Sequence, residues 1–286
     1  MKILVTGAFG FIGSHVIHFL ARTFPSHIIH ATYRDSFDHR FDEYKSVFNK
    51  KLDLDKPGFG TLDSYYDIII HLAWDKVHHY DDPGHLGAIL QSQKRFIDWA
   101  LGSATHLAVA GTCFEYGLQE GELFENFTTA PVTNYGRAKD QLRAYLFSQA
   151  STADTQHVKW LRVFYTYGKG QYPNSLIPQL ESALDNNLEV FNMSAGQQLR
   201  DYLEVRTLAK YIGLAALDHQ ETGIFNCCSG KPIKLVDFVK EYLKSKFPTK
   251  SIKLNLGYYK YSPVEPMAFW GNNERIMRIV KSDGDA

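Results

Sequence analysis

The sequence predicts an α/β fold built on a doubly wound parallel sheet. Short aliphatic runs of strand length alternate with segments of helical spacing along most of the chain. A glycine-rich segment follows the first of these runs, and 286 residues suffice for one large or two modest domains. In such sheets ligands bind beyond the carboxyl ends of the strands, so the segments that follow the strands are the candidates for function.

The N-terminal segment predicts a dinucleotide site. The run "KILVTG" is typical of a buried strand, "SHVIHFLART" has the apolar spacing of a packed helix, and "SHIIHATYR" predicts a second strand. Between the first strand and the helix, "GAFGFIG" places Gly7, Gly10 and Gly13 in a loop. Glycines there let backbone N–H groups approach a pyrophosphate, which the positive end of the following helix stabilises. This arrangement predicts a Rossmann domain that binds a dinucleotide.

The end of the second strand indicates which dinucleotide binds. An acidic residue at this position binds the ribose 2′-hydroxyl of NAD, whereas an arginine accommodates the 2′-phosphate of NADP. The segment "HATYRDS" places Arg34 directly after the expected strand end, which favours NADP(H). Asp35 would favour NAD(H) if the loop shifts by a residue or two, and this alternative stays open.

Three further strands complete the expected sheet. "KKLDLDK" predicts a short strand ending near Asp53 and Leu54, "YYDIIIHLAW" a buried strand ending at Ala73, and "ATHLAVAGTCFEYG" a fifth strand. The segment "LGAILQSQKRFIDWALGS" between the last two has helical spacing. Because the strands are parallel, their carboxyl ends share one edge, which brings Gly7, Ala73 and Thr112 onto the same rim.

Composition excludes several classes of partner. The net charge is zero, so the chain has no bulk attraction to nucleic acid or anionic membrane. No stretch approaches the ~20 apolar residues of a membrane span, and three cysteines form no disulfide framework. We therefore expect a soluble cytoplasmic protein. The segment "VHHYDDPGH" at 77–85 lacks the ligand spacing of a metal site, so we expect a polar loop near the cofactor and no metal.

A Tyr-x-x-x-Lys spacing can mark a catalytic pair, because residues four apart share a helix face. The spacing occurs three times in this chain, at Tyr135/Lys139, Tyr165/Lys169 and Tyr242/Lys246. The second pair precedes a glycine-rich loop and the third lies on an amphipathic helix, where an exposed pair is expected. Pro131 and Asn134 supply a helix start at the first pair, in "YGRAKDQLRAYLFSQ". Only this pair is positioned to reach the rim.

Four motifs in order, "TGAFGFIG", "HLAW", "GTCFEYG" and "YGRAK", resemble the extended short-chain dehydrogenase/reductase family, in its nucleotide-sugar epimerase/dehydratase/reductase branch. The resemblance covers about 1–235. It implies a Rossmann domain over 1–165, with a return at about 203–226, and a smaller C-terminal substrate-binding domain over most of 166–286. Members of this family often form homodimers through a four-helix bundle that includes the tyrosine helix.

The resemblance also implies roles for individual residues. Tyr135 would be the general acid/base, Lys139 its support and Thr112 the third member of the catalytic group. A phenol is protonated at neutral pH and can donate a proton, and a nearby ammonium lowers its pKa toward working pH. Expected cofactor contacts are Gly7, Phe9, Gly10, Phe11, Ile12, Arg34, Asp53, Leu54, Leu72, Ala73 and Lys139. Expected substrate contacts are Trp74, Asn174, Ser175 and Arg200, of which Arg200 could pair bidentately with a diphosphate.

The residues after Thr112 reduce the number of reactions that the resemblance allows. The 4,6-dehydratases of this branch carry Asp and Glu there, where this chain has Cys113 and Phe114, and the 3,5-epimerase/reductases carry a cysteine where Phe114 stands. Hydride transfer at one carbon remains. We expect an NADPH-dependent reductase that acts at C4 of a nucleotide-linked 4-keto-6-deoxyhexose, similar to the abequose-synthase type that serves surface polysaccharides such as the lipopolysaccharide O-antigen. The alternatives are an NAD-dependent nucleotide-sugar 4-epimerase and, more distantly, a non-catalytic NADP-binding regulatory module.

Overall fold

The computed structural model describes residues 1–56, 58–150 and 157–282 of the chain. The strands are β1 (Lys2–Thr6), β2 (Ile28–Tyr33), β3 (Val47–Lys51), β4 (Tyr66–His71), β5 (Ala104–Thr112), β6 (Gly121–Leu123), β7 (His157–Val163), β8 (Tyr165–Tyr167), β9 (Val190–Asn192), β10 (Leu199–Glu204), β11 (Gly223–Cys227), β12 (Pro232–Lys234), β13 (Lys253–Asn255) and β14 (Phe269–Gly271). The helices are α1 (Phe11–Thr23), α2 (Ala88–Ser103), α3 (Asn134–Ala150), α4 (Leu176–Asp185), α5 (Val205–Leu217), α6 (Leu235–Lys246) and α7 (Glu274–Ser282), with short 3₁₀ helices at Pro83–His85 and Cys113–Tyr116.

Seven parallel strands form the central sheet in the order β11-β7-β5-β4-β1-β2-β3. The chain runs outward from β1 to β3, then returns to β4 on the other side of β1 and continues outward. This reversal opens a crevice at the carboxyl ends of β1 and β4, where doubly wound sheets bind their ligands. The predicted doubly wound parallel sheet is confirmed.

The centre of the sheet is buried on both faces because its strands are continuous aliphatic runs. Ile3, Leu4 and Val5 of β1 have no exposed surface, and neither do the three isoleucines at 68–70 in β4. Helices α1, α5 and α7 cover one face and helices α2 and α3 the other, which gives two hydrophobic cores separated by the sheet. This packing fixes the crevice between two rigid layers.

The third strand differs from its prediction. It ends at Lys51 rather than near Asp53 and Leu54, because its pairing with β2 runs from Val47 to Lys51 and β2 itself ends at Tyr33. The alternating "LDLD" pattern suggested a longer strand, but Asp53 accepts the backbone N–H of Asp55 and begins a turn. Asp53 and Leu54 therefore lie in the loop beyond the sheet edge.

The chain after β7 builds a further core beside the sheet. Helices α4 and α6 pack around Leu180, Phe191, Phe238 and Val239, and the short strands β8, β10 and β12 connect this core to the large sheet. Helix α5 and strand β11 lie in the segment of about 203–226 that was predicted to return to the Rossmann domain, and α7 also packs against the large sheet. The predicted division into two domains stays a prediction. No helix in the described parts of the chain is long and apolar enough to cross a membrane.

Candidate active site

The glycine loop between β1 and α1 forms the floor of the crevice. Gly7 has a φ of 66°, and a Cβ on it would lie 2.9 Å from the backbone nitrogen of Ala73. A Cβ on Gly13 would lie 2.1 Å from the Gly7 carbonyl oxygen, and Gly10 donates its N–H to the same oxygen (3.0 Å). Side chains at Gly7 and Gly13 would therefore separate the loop from β4 and from its own helix. The loop has the open backbone that a pyrophosphate requires.

A buried hydrogen-bond chain holds this loop region from below. Gln93 donates its Nε2–H to the Ala73 carbonyl (3.2 Å), so its oxygen accepts from His71 Nε2 (2.6 Å). The Thr6 hydroxyl then donates to His71 Nδ1 (2.7 Å) and accepts the N–H groups of Leu72 and Ala73 (3.1 and 3.2 Å). Burial lowers the pKa of His71 to about 3, which keeps the imidazole neutral. The sequence analysis did not identify this support.

Two adjoining spaces meet at the crevice. The dinucleotide groove, of about 420 Å³, extends from the glycine loop past the ends of β2 and β3. The central cavity, of about 690 Å³, extends toward β5, α3 and the second core. Gly7, Gly10, Ala73 and Trp74 line both spaces. The residues predicted to contact the cofactor line one or both, namely Gly7, Phe9, Gly10, Phe11, Ile12, Arg34, Asp53, Leu54, Leu72, Ala73 and Lys139.

Charge at the far end of the dinucleotide groove is mostly negative. Arg34 pairs with Asp75 (2.7 Å) and with Asp35 (3.3 Å), and both carboxylates line the groove, as do Asp53 and Asp55. Asp75 raises the pKa of the guanidinium. Arg34 directly follows β2, as the sequence predicts. Its ion-pair partner Asp75 lies 41 residues further along the chain, and the sequence analysis did not identify it. NADP(H) stays unconfirmed.

The predicted catalytic group meets in the central cavity. Thr112 ends β5, and Tyr135 and Lys139 lie one turn apart on α3, with all three lining the cavity. Lys139 Nζ donates to the Ala110 carbonyl (2.8 Å), and the Tyr135 backbone N–H donates to the Tyr80 carbonyl (2.8 Å). The helix face and the strand end therefore bring together a phenol, an ammonium and a hydroxyl.

Burial strongly perturbs both members of the tyrosine–lysine pair. Burial raises the pKa of Tyr135 above its ordinary range, with Tyr80 and Glu115 acting in the same direction and the Thr112 side chain opposing them. Burial lowers the pKa of Lys139 to about 7, which Glu115 partly offsets. Burial therefore works against the charge of the lysine, and pKa values perturbed in this way are typical of residues in functional sites.

Glu115 is a site residue that the sequence analysis missed. It has no exposed surface and accepts hydrogen bonds from the Thr112 backbone N–H (2.8 Å), Trp160 Nε1 (2.9 Å) and Arg162 Nε (2.8 Å). Thr112 in turn accepts the N–H of Phe114 (3.3 Å), so the two side chains form a capping box around the 3₁₀ turn. The Thr-x-x-Glu spacing in "GTCFEYG" is the signal that could have revealed it.

The His- and Asp-rich segment 77–85 is a structured loop that packs on α3. Asn134 Nδ2 donates to the Asp81 carbonyl (2.8 Å), and Lys76 pairs with Asp82 (2.8 Å). The Tyr80 ring lies 5.9 Å from the ring of Tyr135, inside the central cavity. In the described parts of the chain, no group of three or more histidine, cysteine or acidic side chains is placed to hold a metal ion.

The substrate side of the cavity holds Arg200 on β10. Its side chain is buried, pairs with Glu265 (3.2 Å) and lies over the ring of Phe269. Arg200 and Glu265 also line a distal pocket of about 290 Å³, which continues the central cavity away from α3. Ser175 lines the central cavity, whereas Asn174 is exposed and donates to the Tyr172 hydroxyl.

The two other Tyr-x-x-x-Lys spacings do not form such a pair. Tyr165 is on strand β8 and its hydroxyl donates to Glu265. Tyr242 is on α6, where its hydroxyl donates to Glu181 (2.6 Å) in the second core. Selecting Tyr135 from the three agrees with this geometry.

The groove and the cavity adjoin at the crevice of a Rossmann sheet, and the Tyr135–Lys139 pair lies in the cavity. Residues 3–228 match the NAD dependent epimerase/dehydratase family, and the chain belongs to it. The predicted family is therefore confirmed.

Individual relatives cover nearly the whole chain. The chain is 29% identical over 280 residues to dTDP-6-deoxy-L-talose 4-dehydrogenase (NAD(+)) of Aggregatibacter actinomycetemcomitans, covering 95% of this chain and 99% of that protein. It is 25% identical over 297 residues to GDP-6-deoxy-D-talose 4-dehydrogenase of the same bacterium, covering 99% and 92%. UDP-glucose-4-epimerase from Stenotrophomonas maltophila, solved with NAD, superimposes with a TM-score of 0.85 at 17% identity, covering 98% of this chain and 92% of that one. The structural likeness shows the shared fold.

Proposed function

We propose that this protein is a nicotinamide-dependent oxidoreductase that interconverts the 4-hydroxyl and 4-keto forms of a nucleotide-linked 6-deoxyhexose. The observation that carries the proposal is the meeting of Thr112, Tyr135 and Lys139 in a cavity that opens into the dinucleotide groove. The bound cofactor would supply or accept the hydride at C4. Tyr135 would give a proton to the C4 oxygen during reduction and take it back during oxidation. Thr112 would hydrogen-bond the same oxygen, and Lys139 would stabilise the tyrosinate.

The cavity supports hydride transfer at one carbon only. Dehydration requires a second acid or base beside the reacting centre, and the positions after Thr112 hold Cys113 and Phe114. Among the described residues that line the central cavity, Glu265 is the only carboxylate, and it is held by Tyr165 and Arg200. His78 also lines the cavity, and its ring stacks on the ring of Tyr172 (centroids 4.0 Å apart) rather than lying beside Thr112 in the sequence positions that the dehydratases use.

The aromatic side chains beside Tyr135 favour a neutral sugar with an apolar group at that position. Tyr80 and Phe114 form an aromatic wall beside Tyr135, with ring centroids 4.7 Å apart from each other. The charged lining residues are Lys139, which belongs to the catalytic group, and the Arg200–Glu265 pair. A carboxylated sugar would find no free cation at this wall, whereas the methyl group of a 6-deoxyhexose would be buried against aromatic rings. The 6-deoxytalose 4-dehydrogenases named above act on sugars of this kind. Oxidation at C4 is the reverse of the reduction that the sequence predicts.

We favour NAD(H) as the cofactor over the NADP(H) that the sequence alone suggested. The 2′-phosphate of NADP adds up to about two negative charges, the charge of any phosphate monoester near neutral pH. Among the described residues that line the groove, Arg34 offers the only guanidinium, and it is already paired with Asp75 and Asp35. Asp53 and Asp55 add further negative charge. The relative that names its cofactor uses NAD(+).

A nucleotide diphosphate would extend from the central cavity past Arg200 into the distal pocket. Arg200 would have to exchange its partner Glu265 for phosphate oxygens, which suit the planar guanidinium.

We also propose a homodimer and a role in making sugars for surface polysaccharide. The outward faces of α2 and α3 carry none of the large exposed hydrophobic side chains found in the described residues, so a bundle interface would be polar.

The test is an oxidation assay with NAD⁺ or NADP⁺ and a panel of nucleotide-linked 6-deoxyhexoses, followed by the reverse reaction on the keto product. Net formation of reduced cofactor with one substrate supports the proposal. Tyr135→Phe should lower kcat by about 10²–10⁴-fold, the usual contribution of general acid–base catalysis, while cofactor binding by calorimetry is retained. Interconversion of C4 epimers without net reduced cofactor would identify a 4-epimerase instead. Cofactor binding without turnover of any substrate would identify a binding module.

A further inference from the structure

Trp74 covers the ammonium group of the catalytic lysine. Lys139 Nζ lies 3.9 Å from the centroid of the Trp74 ring and donates a hydrogen bond to the Ala110 carbonyl (2.8 Å). The lysine side chain is only 3% exposed, so little water competes for its charge. A cation held over an indole face in a desolvated site is attracted by the quadrupole of the ring.

A buried histidine fixes the orientation of Trp74. The indole Nε1–H donates to His85 Nδ1 (3.1 Å), so the proton of this imidazole is on Nε2, which donates to the His79 carbonyl (3.0 Å). His85 has no exposed surface and stacks beside the indole at 27°. Its ring also lies 5.4 Å from Tyr135, and Trp74 meets Tyr135 edge to face at 5.9 Å. The indole therefore cannot turn away from the lysine without breaking the bond to His85.

We propose that Trp74, locked by His85, is a positioning residue that keeps Lys139 charged and directed at Tyr135. This assignment rests on the proposed function, in which Lys139 stabilises the tyrosinate. It differs from the substrate contact that the sequence predicted for Trp74. It also gives a purpose to the His-rich segment 77–85, which supplies His79 and His85.

The electrostatic setting explains why the lysine needs this support. Burial lowers the pKa of Lys139 to about 7, so a small loss of stabilisation makes the amine neutral at working pH. The ionisable groups that act on it are Glu115, which raises its pKa, and the imidazoles of His71 and His85, whose own pKa values it lowers. Without its charge, Lys139 would no longer favour the tyrosinate, and the pKa of Tyr135 would rise.

The experiment compares pH profiles of kcat/KM for sugar oxidation by wild type, Trp74→Leu and Trp74→Phe. Trp74→Leu removes the aromatic face, and the rising limb of its pH profile should move about one pH unit to the alkaline side. At a pH below that limb, kcat/KM should therefore be about tenfold lower than in wild type. Trp74→Phe keeps a weaker face without the N–H group and should shift less. Trp99→Leu is the matched control, because Trp99 is a half-buried tryptophan on α2 that packs in the core away from the cavity. Its profile should coincide with that of wild type.

Other outcomes separate this inference from the proposed function. If Trp74→Leu lowers the rate equally at every pH, Trp74 only packs, and the inference is wrong. If it raises KM for the sugar without moving the limb, Trp74 is the substrate contact predicted from sequence, and the inference is again wrong. Full activity in Tyr135→Phe would instead remove the proposed function, and this inference with it.

Discussion

The charge arrangement at the far end of the dinucleotide groove predicts that a single substitution changes the cofactor preference. Asp75→Asn removes the carboxylate that lies 2.7 Å from Arg34 and leaves a side chain of the same shape. The guanidinium would then keep only its longer pairing with the exposed Asp35 (3.3 Å) and could bind a 2′-phosphate more readily. The preference should therefore move toward NADP⁺ without any change in the catalytic group.

The expected size of the change in cofactor preference follows from how exposed the Arg34–Asp75 ion pair is. The two side chains are 49% and 45% exposed, and an exposed ion pair contributes only ~0–1 kcal/mol, so the fold should lose little stability. A hydrogen bond to a charged group contributes about 1.5–3 kcal/mol, and half-exposure places this one at the low end. About 1.4 kcal/mol corresponds to a tenfold change. The ratio of kcat/KM for NADP⁺ to that for NAD⁺ should rise by roughly this factor.

The assay measures kcat/KM for both cofactors with one sugar substrate at low and at moderate salt. The gain with NADP⁺ should shrink at higher ionic strength, since exposed charges are screened. Asp185→Asn is the control, because Asp185 forms an exposed pair with Lys250 (3.0 Å) on the outside of the second core. An unchanged ratio in Asp75→Asn, or a wild type that already prefers NADP⁺, would refute the charge argument.

Three further predictions test the loop, the aromatic wall and a histidine cluster. Gly13→Ala should weaken cofactor binding by calorimetry at least about tenfold, because the new Cβ would lie 2.1 Å from the Gly7 carbonyl oxygen; unchanged binding would show that the loop can shift freely. Wild type should prefer a 6-deoxyhexose to the matching 6-hydroxy sugar by up to about 10²-fold in kcat/KM, and Phe114→Ser should reduce that ratio; equal rates in wild type would contradict an apolar wall. The pKa of His106 is lowered to about 4 by burial and by His219, whose ring nitrogen lies 2.7 Å away. Between pH about 6.5 and 4 the unfolded chain therefore binds more protons than the folded protein does, so the folded protein should become less stable as the pH is lowered through that window. The decrease in Tm over the same pH range should be smaller in His106→Gln. Parallel Tm curves for the two proteins would argue against this contribution.

The features that could be predicted from the sequence are those that depend on residues close together in the chain. The strand, glycine loop and helix around Gly7 could be predicted because buried strands, glycine turns and amphipathic helices each have a local pattern. Tyr135 could be chosen from three similar spacings because only it begins a helix shortly after a strand end. The position of Arg34 was equally local.

What could not be predicted depends on contacts between distant parts of the chain. The partner of Arg34 is Asp75 in the loop after β4, 41 residues away, and this pairing changes the charge available to a phosphate. Glu115 is held by Trp160 and Arg162, from a strand that begins more than forty residues later. No local pattern encodes which side chains from distant segments meet in this way. The capping box that contains Glu115 was local and could have been noticed.

The arrangement around Lys139 resolves a conflict between the two members of the catalytic pair. A carboxylate near the lysine stabilises its charge, but it also opposes ionisation of the phenol, and Glu115 raises the pKa of both Lys139 and Tyr135. A further carboxylate close to this pair would therefore help the lysine at the expense of the tyrosine. The face of Trp74 stabilises the ammonium without adding a negative charge, and its quadrupole acts only at short range. An aromatic cover over the lysine, with the buried Glu115 held by Trp160 and Arg162, allows the lysine to stay charged while the tyrosine can still ionise.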